Sequence, residues 1–423
     1  MRIAMVSAHT SPLAPLGGRE TGGMNVYVLE LSRELASLGY EVDIFTRRDG
    51  LLPAVEPIAP RLRLVRIDAG PPAPIEKEAI IGHLPEFVRN LHAFACDAPG
   101  YDLIHSHYWQ SGWAGTILAR RLRLPHVVMF HTLGEVKNRA RFGEAEPTLR
   151  IRHERTIARR ADAIVTASGH ERQLLERYYG ADPARMHTVP CGIDLDLFQP
   201  LPRETCRASL GLPLDRPVLL WVGRLEKLKG LEILLDAVAG LERRDALLLI
   251  LGGDDRAAPL RAELEAQAAR LGLADRVRFT GAVDHAELPR YYSAADVCVV
   301  PSFYESFGLV AVEAMACGTP VVASRVGGLQ STVIDGVTGY LIPWRCPEPF
   351  TEKLDVLLAN PELRANFGRA ARASVERFRW STVGLRIADV YDAALARFAR
   401  HEPPAGRPFA PEAWEAAVIA SGG

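Results

Sequence analysis

The feature that most constrains the fold is a strand–loop–helix–strand pattern that begins twice in the chain, about half a chain apart. In the first copy, the apolar strand at residues 3–6 leads through a glycine-bearing loop into a helix. The helix stops at Gly39, and the next strand begins at Val42. The apolar residues of this helix recur with the spacing of one helical face: Val28, Leu31, Leu35 and Leu38.

The second copy begins with the apolar strand at residues 218–222, which is followed by a loop that carries glycine and lysine. The helix after this loop again has one apolar face: Leu231, Leu234, Leu235, Val238 and Leu241. The next strand, residues 246–251, is apolar throughout, which is typical of a parallel sheet covered on both faces. Two such units predict an α/β protein with two doubly wound, Rossmann-like domains that face a cleft.

The domain limits follow from where regular patterns are interrupted. Two prolines near residue 200 break regular structure between the units, so we place an N-terminal domain at residues 1–198 and a C-terminal domain at residues 199–380. A last helix at about residues 381–400 is expected to pack back on the N-terminal domain. Residues 401–423 are rich in proline, alanine and glycine, which predicts a poorly ordered tail.

Composition argues against several classes of function. The 423 residues carry 50 Lys and Arg against 51 Asp and Glu, a formal net charge of -1 that gives no support for binding nucleic acid or an anionic membrane. The first residues turn polar too early for a signal peptide, and no apolar run reaches the roughly 20 residues that span a bilayer. The six cysteines are irregularly spaced, which is typical of a reduced protein. We therefore expect a cytoplasmic location.

The strongest local signal for ligand binding follows a predicted strand at residues 297–300. The segment at residues 301–309 opens a helix, so its last amides are expected at a helix N-terminus, where a diphosphate binds. These amides belong to Ser306, Phe307, Gly308 and Leu309. Glu313, two turns into the helix, is a candidate ligand for a ribose, and Glu305 is a candidate for a sugar hydroxyl. The alternative is a helix capped by Ser306, with acidic residues placed to suit its dipole.

A second signal lies in the loop after the strand at residues 218–222. Arg224 and Lys229 follow a strand-ending glycine, five residues apart. Two cations at this place suit the negative charge that develops on a departing diphosphate. The order of residues is not that of a Walker A loop. An ordinary charged surface turn explains the loop equally well.

Glycines precede the first helix as the pairs Gly17-Gly18 and Gly22-Gly23. Gly22-Gly23 lets the backbone approach a ligand closely, which makes Gly23 a candidate contact to the donor substrate. The pattern is not Gly-x-Gly-x-x-Gly, so it does not support nicotinamide binding. A flexible turn is the alternative explanation.

Three histidines follow apolar strands and are therefore expected at the ligand-binding edge: His105, His107 and His131. His105 and His107 are spaced to share a face of one strand and to bind a metal ion, but no third ligand is evident. We therefore expect structural or sugar-binding histidines.

Four cations form a separate set: Lys77, Lys137, Arg150 and Arg152. A helix that carries Arg150 and Arg152 beside a pocket could clasp a phosphate group. The alternative is a solvated basic helix face.

These motifs, in this order, resemble those of the retaining glycosyltransferases of family 4, which have the two-domain architecture called GT-B. The resemblance extends from Arg2 to about Ala399. The segments at residues 11–13, 22–27, 105–109 and 131–133 look most like those of inositol phosphate glycosyltransferases, and also like bacterial sucrose-phosphate synthases. Gly327-Gly328-Leu329 departs from the Gly-Gly-Pro of the synthases, and Asn25 departs from their glutamine, which favours inositol phosphate as the acceptor.

The resemblance implies roles for individual residues. Arg224 and Lys229 match the pair that contacts the donor diphosphate, Glu313 the ribose ligand, and Glu305 and His131 the residues beside the donor sugar. The acceptor pocket of the inositol phosphate enzymes is matched by Asn25, Lys77, Tyr108, Thr132 and Arg150. Lys137 and Arg152 resemble phosphate contacts of the sucrose-phosphate synthases.

The resemblance also implies a reaction. A hexosyl group would move from a nucleotide sugar, UDP-GlcNAc or UDP-glucose, to a small phosphorylated acceptor, with the UDP-sugar as co-substrate. No cofactor and no protein-bound metal would be required, and a homodimer is a possible assembly. Two alternatives of other classes remain: an epimerase of nucleotide sugars, and a non-catalytic sugar-nucleotide binding protein, which would tend to lose Glu305 or Lys229.

Overall fold

The computed structural model describes residues 1–14, 22–97, 99–140, 145–253, 257–343 and 345–401. The pair Gly17-Gly18 and the predicted tail from residue 402 onward lie outside the described residues. Among the described helices, none is both long and apolar enough to cross a membrane.

The N-terminal half of the chain forms an eight-stranded sheet in the order β3-β4-β2-β1-β5-β6-β7-β8. Its strands are β1 (Arg2–Val6), β2 (Glu41–Arg47), β3 (Val55–Ala59), β4 (Leu62–Ile67), β5 (Leu103–His107), β6 (His126–Met129), β7 (Ala163–Thr166) and β8 (Met186–Thr188). All neighbours pair in parallel except β3, which is antiparallel to β4. The helices of this half are α1 (Gly23–Ser37), α2 (Ile80–Asp97), α3 (Trp109–Leu122), α4 (Gly134–Ala140), α5 (Thr148–Arg160) and α6 (Gly169–Tyr179).

The C-terminal half forms a six-stranded parallel sheet in the order β11-β10-β9-β12-β13-β14. Its strands are β9 (Val218–Val222), β10 (Leu247–Leu251), β11 (Val277–Gly281), β12 (Val297–Val300), β13 (Val321–Ser324) and β14 (Gly339–Ile342). Its helices are α7 (Arg203–Ser209), α8 (Leu231–Gly240), α9 (Ala258–Arg270), α10 (Leu288–Ala294), α11 (Leu309–Ala316), α12 (Leu329–Thr332), α13 (Pro347–Ala359) and α14 (Pro361–Ser374).

Both sheets are doubly wound, so the predicted fold class is confirmed. The strand order reverses between β1 and β5 in the first sheet, and between β9 and β12 in the second. Ligands bind at such reversals, outside the carboxyl ends of the strands. The candidate motifs follow β5, β6, β9 and β12, and therefore lie at these edges.

The helical faces predicted from apolar spacing are buried, with one exception. Val28, Leu31 and Leu35 of α1 are fully buried against the first sheet, and the predicted apolar residues of α8 are buried against the second sheet. Leu38 was expected on the same face but is 39% exposed. It lies beyond the last helical residue, Ser37, where the chain turns toward Gly39, so the helical spacing no longer determines its direction.

The last helix, α15 (Trp380–His401), crosses back to the first half of the chain. It packs against α1 and β7, and Val383, Ile387 and Val390 are buried there. The hydroxyl of Tyr391 lies 2.8 Å from Nδ1 of His105 on β5. The helix thus packs against the N-terminal sheet, while the domain limits at residues 198 and 380 stay predictions.

Candidate active site

The centre of the C-terminal side of the site is an ion pair between two loops. Lys229, after β9, donates a hydrogen bond from Nζ to Oε1 of Glu305, after β12, over 2.5 Å. The hydroxyl of Ser302 donates to the same oxygen over 3.1 Å. Both charged side chains are mostly buried, which strengthens their attraction relative to an exposed pair. Two residues 76 positions apart in the sequence therefore form one mostly buried ion pair.

Close backbone contacts hold these two loops together. The amide of Phe303 donates to the carbonyl of Leu228 over 2.8 Å. Gly230 adopts a φ of 69°, and a Cβ at this position would lie 2.2 Å from the carbonyl oxygen of Pro301. Only glycine tolerates both the left-handed backbone and this contact. Gly327 is packed equally closely against the Glu305 carbonyl, because a Cβ added at Gly327 would lie 1.7 Å from that oxygen.

Arg224 lies on the same loop as Lys229 but at its exposed side. Its guanidinium pairs with Glu226 over 2.9 Å, and nearly half of the side chain is accessible to solvent. The structure therefore shows Lys229 facing Glu305 and Arg224 facing solvent, and it does not bring the two cations into one contact.

The helix after the second loop begins later than expected. Helix α11 starts at Leu309, and its N-cap is Gly308 with a φ of 90°. Ser306 and Phe307 therefore precede the helix, and Ser306 does not cap it; its hydroxyl lies 3.1 Å from that of Tyr304. Of the four predicted amides, only those at Gly308 and Leu309 lie at the helix start, because a left-handed Gly308 delays helical geometry.

Glu313 lies about one turn inside α11 rather than two, and its carboxylate already has partners. The hydroxyl of Tyr292 donates to Oε2 over 2.7 Å, and Nε2 of His285 lies 3.5 Å from Oε1. Burial opposes the charge of His285, but the hydrogen bond to Glu313 raises the pKa of this histidine. A ribose at this position would share Glu313 with both residues.

Two contacts join the halves of the chain across the cleft. The amide of Leu133, after β6, donates to the hydroxyl of Tyr304 over 3.4 Å. A Cβ added to Gly23, at the start of α1, would lie 2.8 Å from a methyl group of Leu309. Two predicted donor contacts from opposite halves of the chain, Gly23 and Leu309, therefore lie close together.

His131 occupies a tight turn at the end of β6. Its φ is 60°, and the amide of Thr132 donates to the carbonyl of Phe130 over 2.7 Å, which closes a three-residue turn. Nε2 of His131 lies 2.9 Å from Nδ1 of His107, which determines the position of the ring. Burial lowers the pKa of His131 to about 3, so the ring is neutral at pH 7. It can therefore exchange hydrogen bonds with a sugar without adding charge.

The rings of His105 and His107 lie 4.3 Å apart, on one face of β5 as expected. Each ring has a protein partner: Tyr391 for His105 and His131 for His107. Within the described part of the chain, no three side chains of His, Cys, Asp or Glu are grouped to hold a metal ion. Burial lowers the pKa of both histidines, so both are neutral.

Two of the predicted acceptor residues, Lys77 and Arg150, meet at Tyr108. The Lys77 ammonium lies 4.4 Å from the centre of its ring, and the Arg150 guanidinium lies 5.0 Å from it. His9, on the loop after β1, packs on the same ring with centroids 4.6 Å apart. Sequence reasoning missed His9 because it examined no polar residue directly after β1.

Arg150 is buried, whereas Arg152 is not. The Arg150 side chain is 2% exposed, and its guanidinium nitrogens donate to Glu154, Glu146 and Thr132 over 2.7–3.0 Å. Arg152 lies on the exposed face of α5, because residues two apart on a helix point about 200° apart. Arg150 therefore lies beside Tyr108 and Thr132, whereas Arg152 does not, and the clasp of one phosphate by both arginines stays a prediction.

Lys137, on α4, reaches the same carboxylate as Arg150. Its ammonium pairs with Oε1 of Glu146, while Nη1 of Arg150 pairs with Oε2 over 2.8 Å. Glu146, Arg150 and Glu154 are spaced four residues apart, which is a local signal that sequence reasoning did not use. Three predicted phosphate ligands, Lys77, Lys137 and Arg150, thus belong to one connected group with Tyr108.

Asn25 does not point into this group. Its side chain is buried, donates to the hydroxyl of Thr10 and the carbonyl of Ser11 over 2.9 and 2.7 Å, and accepts from the Gly22 amide over 3.2 Å. The amide therefore holds the loop after β1 to the start of α1. A direct contact to an acceptor would require Asn25 to give up one of these bonds.

Comparison with known proteins agrees with the motifs. Residues 21–197 match the family described as Glycosyltransferase Family 4, and residues 202–374 match the family described as Glycosyl transferases group 1.

Similar curated proteins include the D-inositol 3-phosphate glycosyltransferase 2 of Catenulispora acidiphila, 45% identical over 93% of this chain and 95% of the relative. The D-inositol 3-phosphate glycosyltransferase of Xylanimonas cellulosilytica is 43% identical over 94% and 97% of the two chains. Among solved structures, the sucrose-phosphate synthase of Thermosynechococcus elongatus superimposes with a TM-score of 0.87, at 39% identity over 93% and 99% of the chains. Anabaena HepE, solved with UDP and glucose, shares the fold with a TM-score of 0.75 and 22% identity, over 93% and 100% of the chains.

Proposed function

This chain belongs to the glycosyltransferases of family 4, and we propose that it transfers a hexosyl group, with retention of configuration, from a UDP-sugar to a small phosphorylated acceptor. Inositol phosphate is the first candidate acceptor, and UDP-GlcNAc and UDP-glucose are the candidate donors. The nearest alternative within the class is transfer to fructose 6-phosphate, as the similarity to a sucrose-phosphate synthase suggests.

The observation that carries the proposal is the cation group around Tyr108. Lys77 and Arg150 lie on its ring, and Arg150 contacts both oxygens of Thr132 over 3.0 Å. A phosphate monoester would accept charge-assisted hydrogen bonds from these cations, whereas a neutral acceptor offers them no charge. The acceptor phosphate is therefore assigned to this position.

The acceptor hydroxyl group and the donor sugar would meet next to the assigned phosphate position. His131 directly precedes Thr132, and Leu133 is hydrogen-bonded to Tyr304, the neighbour of Glu305. An acceptor held by its phosphate at Thr132 would therefore place a hydroxyl group near the donor sugar held by Glu305 and His131. Holding two substrates in this geometry replaces a collision in solution with a step within one complex.

The proposed chemistry depends on the leaving diphosphate. Lys229 would pair with the diphosphate oxygens as their charge develops, aided by Arg224 and the amides at the start of α11. A double displacement would need a free carboxylate beside the anomeric carbon. We propose attack from the same face, in which the acceptor oxygen bonds to the anomeric carbon as the bond to the diphosphate breaks, and the leaving phosphate takes the acceptor proton.

One experiment separates the candidates. Purified protein is incubated with a panel of nucleotide sugars and with inositol, inositol phosphate, fructose and fructose 6-phosphate, and products are read by mass. A hexosyl–inositol phosphate product supports the proposal, and sucrose phosphate supports the alternative. Equal use of phosphorylated and unphosphorylated acceptors would refute the assigned phosphate position. Product formation in the presence of EDTA is expected, because the proposed route uses no protein-bound metal.

A further inference from the structure

We propose that the Glu146 carboxylate is an internal counter-anion that fills the position of the acceptor phosphate and leaves it when the acceptor binds. Glu146 would then set the affinity for the acceptor and select for phosphorylated ones. This inference rests on the proposed function, because it concerns the same acceptor site.

The contacts of Glu146 are those expected of a bound anion. Its two carboxylate oxygens pair with two different cations: Oε1 with Lys137 and Oε2 with Arg150. Arg150 also contacts Thr132 and Tyr108, the two further residues of the assigned phosphate position. The carboxylate thus bridges two of the cations that a phosphate would need.

The charge of the ligand favours exchange with a phosphate. Glu146 brings one negative charge to the two cations that it bridges, Lys137 and Arg150. A phosphate monoester carries about 1.5–2 negative charges at pH 7, so it would pair with both cations more strongly than one carboxylate does.

The two carboxylates differ in how firmly they are held. Glu154 is fully buried on α5 and accepts hydrogen bonds from the Gly134 amide and the Tyr179 hydroxyl, in addition to its pair with Arg150. Glu146 is 16% exposed and precedes the first residue of α5, and its backbone is held by hydrogen bonds with the Asn138 side chain. Glu154 is therefore the permanent partner of Arg150, and Glu146 is the exchangeable one.

Displacement gives selectivity as well as affinity. A phosphorylated acceptor replaces the pairs that Glu146 gives up, whereas a neutral acceptor would leave two cations without their anion. Burying unpaired charge is costly, so the neutral acceptor is disfavoured. The apparent Kd for the phosphorylated acceptor equals the intrinsic Kd divided by the fraction of molecules in which Glu146 has left the position.

The test is Glu146→Gln in the full-length protein, with Glu135→Gln as the matched control. Glu135, on α4, is about as exposed as Glu146 and pairs with Arg139 and Arg155, outside the assigned site. We expect Glu146→Gln to lower the KM for the phosphorylated acceptor about three- to tenfold and to strengthen inhibition by inorganic phosphate by a similar factor. The KM for the donor and the properties of Glu135→Gln should match those of the wild type.

The kinetics distinguish a failure of the counter-anion proposal from a failure of the proposed function. If the wild type prefers phosphorylated acceptors but Glu146→Gln shows an unchanged or higher KM for them, Glu146 supports the fold or the acceptor and the counter-anion is refuted. If the wild type uses phosphorylated and unphosphorylated acceptors equally well, the proposed function itself is refuted. Should Glu146→Gln not fold, Glu146→Asp is used, since its shorter carboxylate cannot bridge both cations and is also expected to lower the KM; no decrease refutes the inference.

Discussion

Lys229 and Glu305 form a hydrogen-bonded ion pair of 2.5 Å across the two loops that end β9 and β12. Each side chain keeps the other from being an isolated, mostly buried charge. The pair therefore holds the two loops in place. Under the proposed function, the same ammonium would face the diphosphate of a bound donor.

Lys229→Ala is expected to reduce turnover strongly and stability moderately. Losing a cation that faces developing charge lowers kcat by about 10²–10³-fold, whereas leaving the mostly buried Glu305 without its cation costs about 1–3 kcal/mol of unfolding free energy. Steady-state kinetics and urea unfolding measure the two effects. The control is Lys227→Ala, an exposed lysine of the same loop. Turnover within threefold of wild type would refute the assignment of Lys229.

Lys77→Ala is expected to weaken only the phosphorylated acceptor. Loss of a charge-assisted hydrogen bond of roughly 1.5–3 kcal/mol raises the KM of that acceptor about ten- to a hundredfold. The KM for the donor should not change, because the Lys77 ammonium lies on Tyr108, on the acceptor side. Initial rates with varied acceptor check this. An equal rise in KM for an unphosphorylated acceptor would contradict the assigned contact.

Arg150→Ala and Arg152→Ala are expected to differ in stability. Removing Arg150 leaves the buried Glu154 without its cation, which costs about 3–5 kcal/mol. Removing Arg152 from the exposed face of α5 changes stability by less than about 0.5 kcal/mol. Urea unfolding of both variants tests the difference, and equal midpoints would contradict the burial argument. Kinetic tests of Arg150 are therefore better made with Arg150→Lys, which keeps a charge.

Glu171 is expected to make the protein less stable as pH rises from about 4.5 to 7. Burial raises the pKa of this carboxyl to about 7 in the folded protein, so the folded state holds the proton over that interval while the unfolded chain has lost it. Stability is highest below the unfolded pKa and falls by on the order of 3 kcal/mol up to pH 7. Above pH 7 this contribution is constant.

Glu171→Gln should remove that slope, because the amide does not titrate. Unfolding free energies at pH 4.5, 6 and 8 measure it, with Glu176→Gln on the exposed face of α6 as the control. The variant should gain stability over wild type at pH 8 but not at pH 4.5. A parallel pH dependence of variant and wild type would show that Glu171 titrates normally.

Much of the site was predictable because its parts end regular elements. Strands β5, β6, β9 and β12 are recognisable as apolar runs, and in a parallel sheet their carboxyl ends share one edge. His131 and Lys229 could therefore be placed at the cleft from their position after a strand. The start of α11 was misjudged by three residues, because a left-handed Gly308 delays the helix in a way that spacing does not show.

The sequence by itself determined which segments are helices and strands, that two doubly wound sheets form, and which loops lie at the ligand edge. Those properties follow from periodicity and from local turn residues. Only the tertiary structure decided the partners of the charged side chains: Lys229 with Glu305, His131 with His107, and Arg150 with Glu146 and Glu154. The partner of a polar or charged side chain depends on which residues lie near it in the folded protein. The first two of these pairs join segments that are distant along the chain. The same folding turned Arg152 toward solvent and enclosed Asn25, although both lie close in sequence to residues of the site.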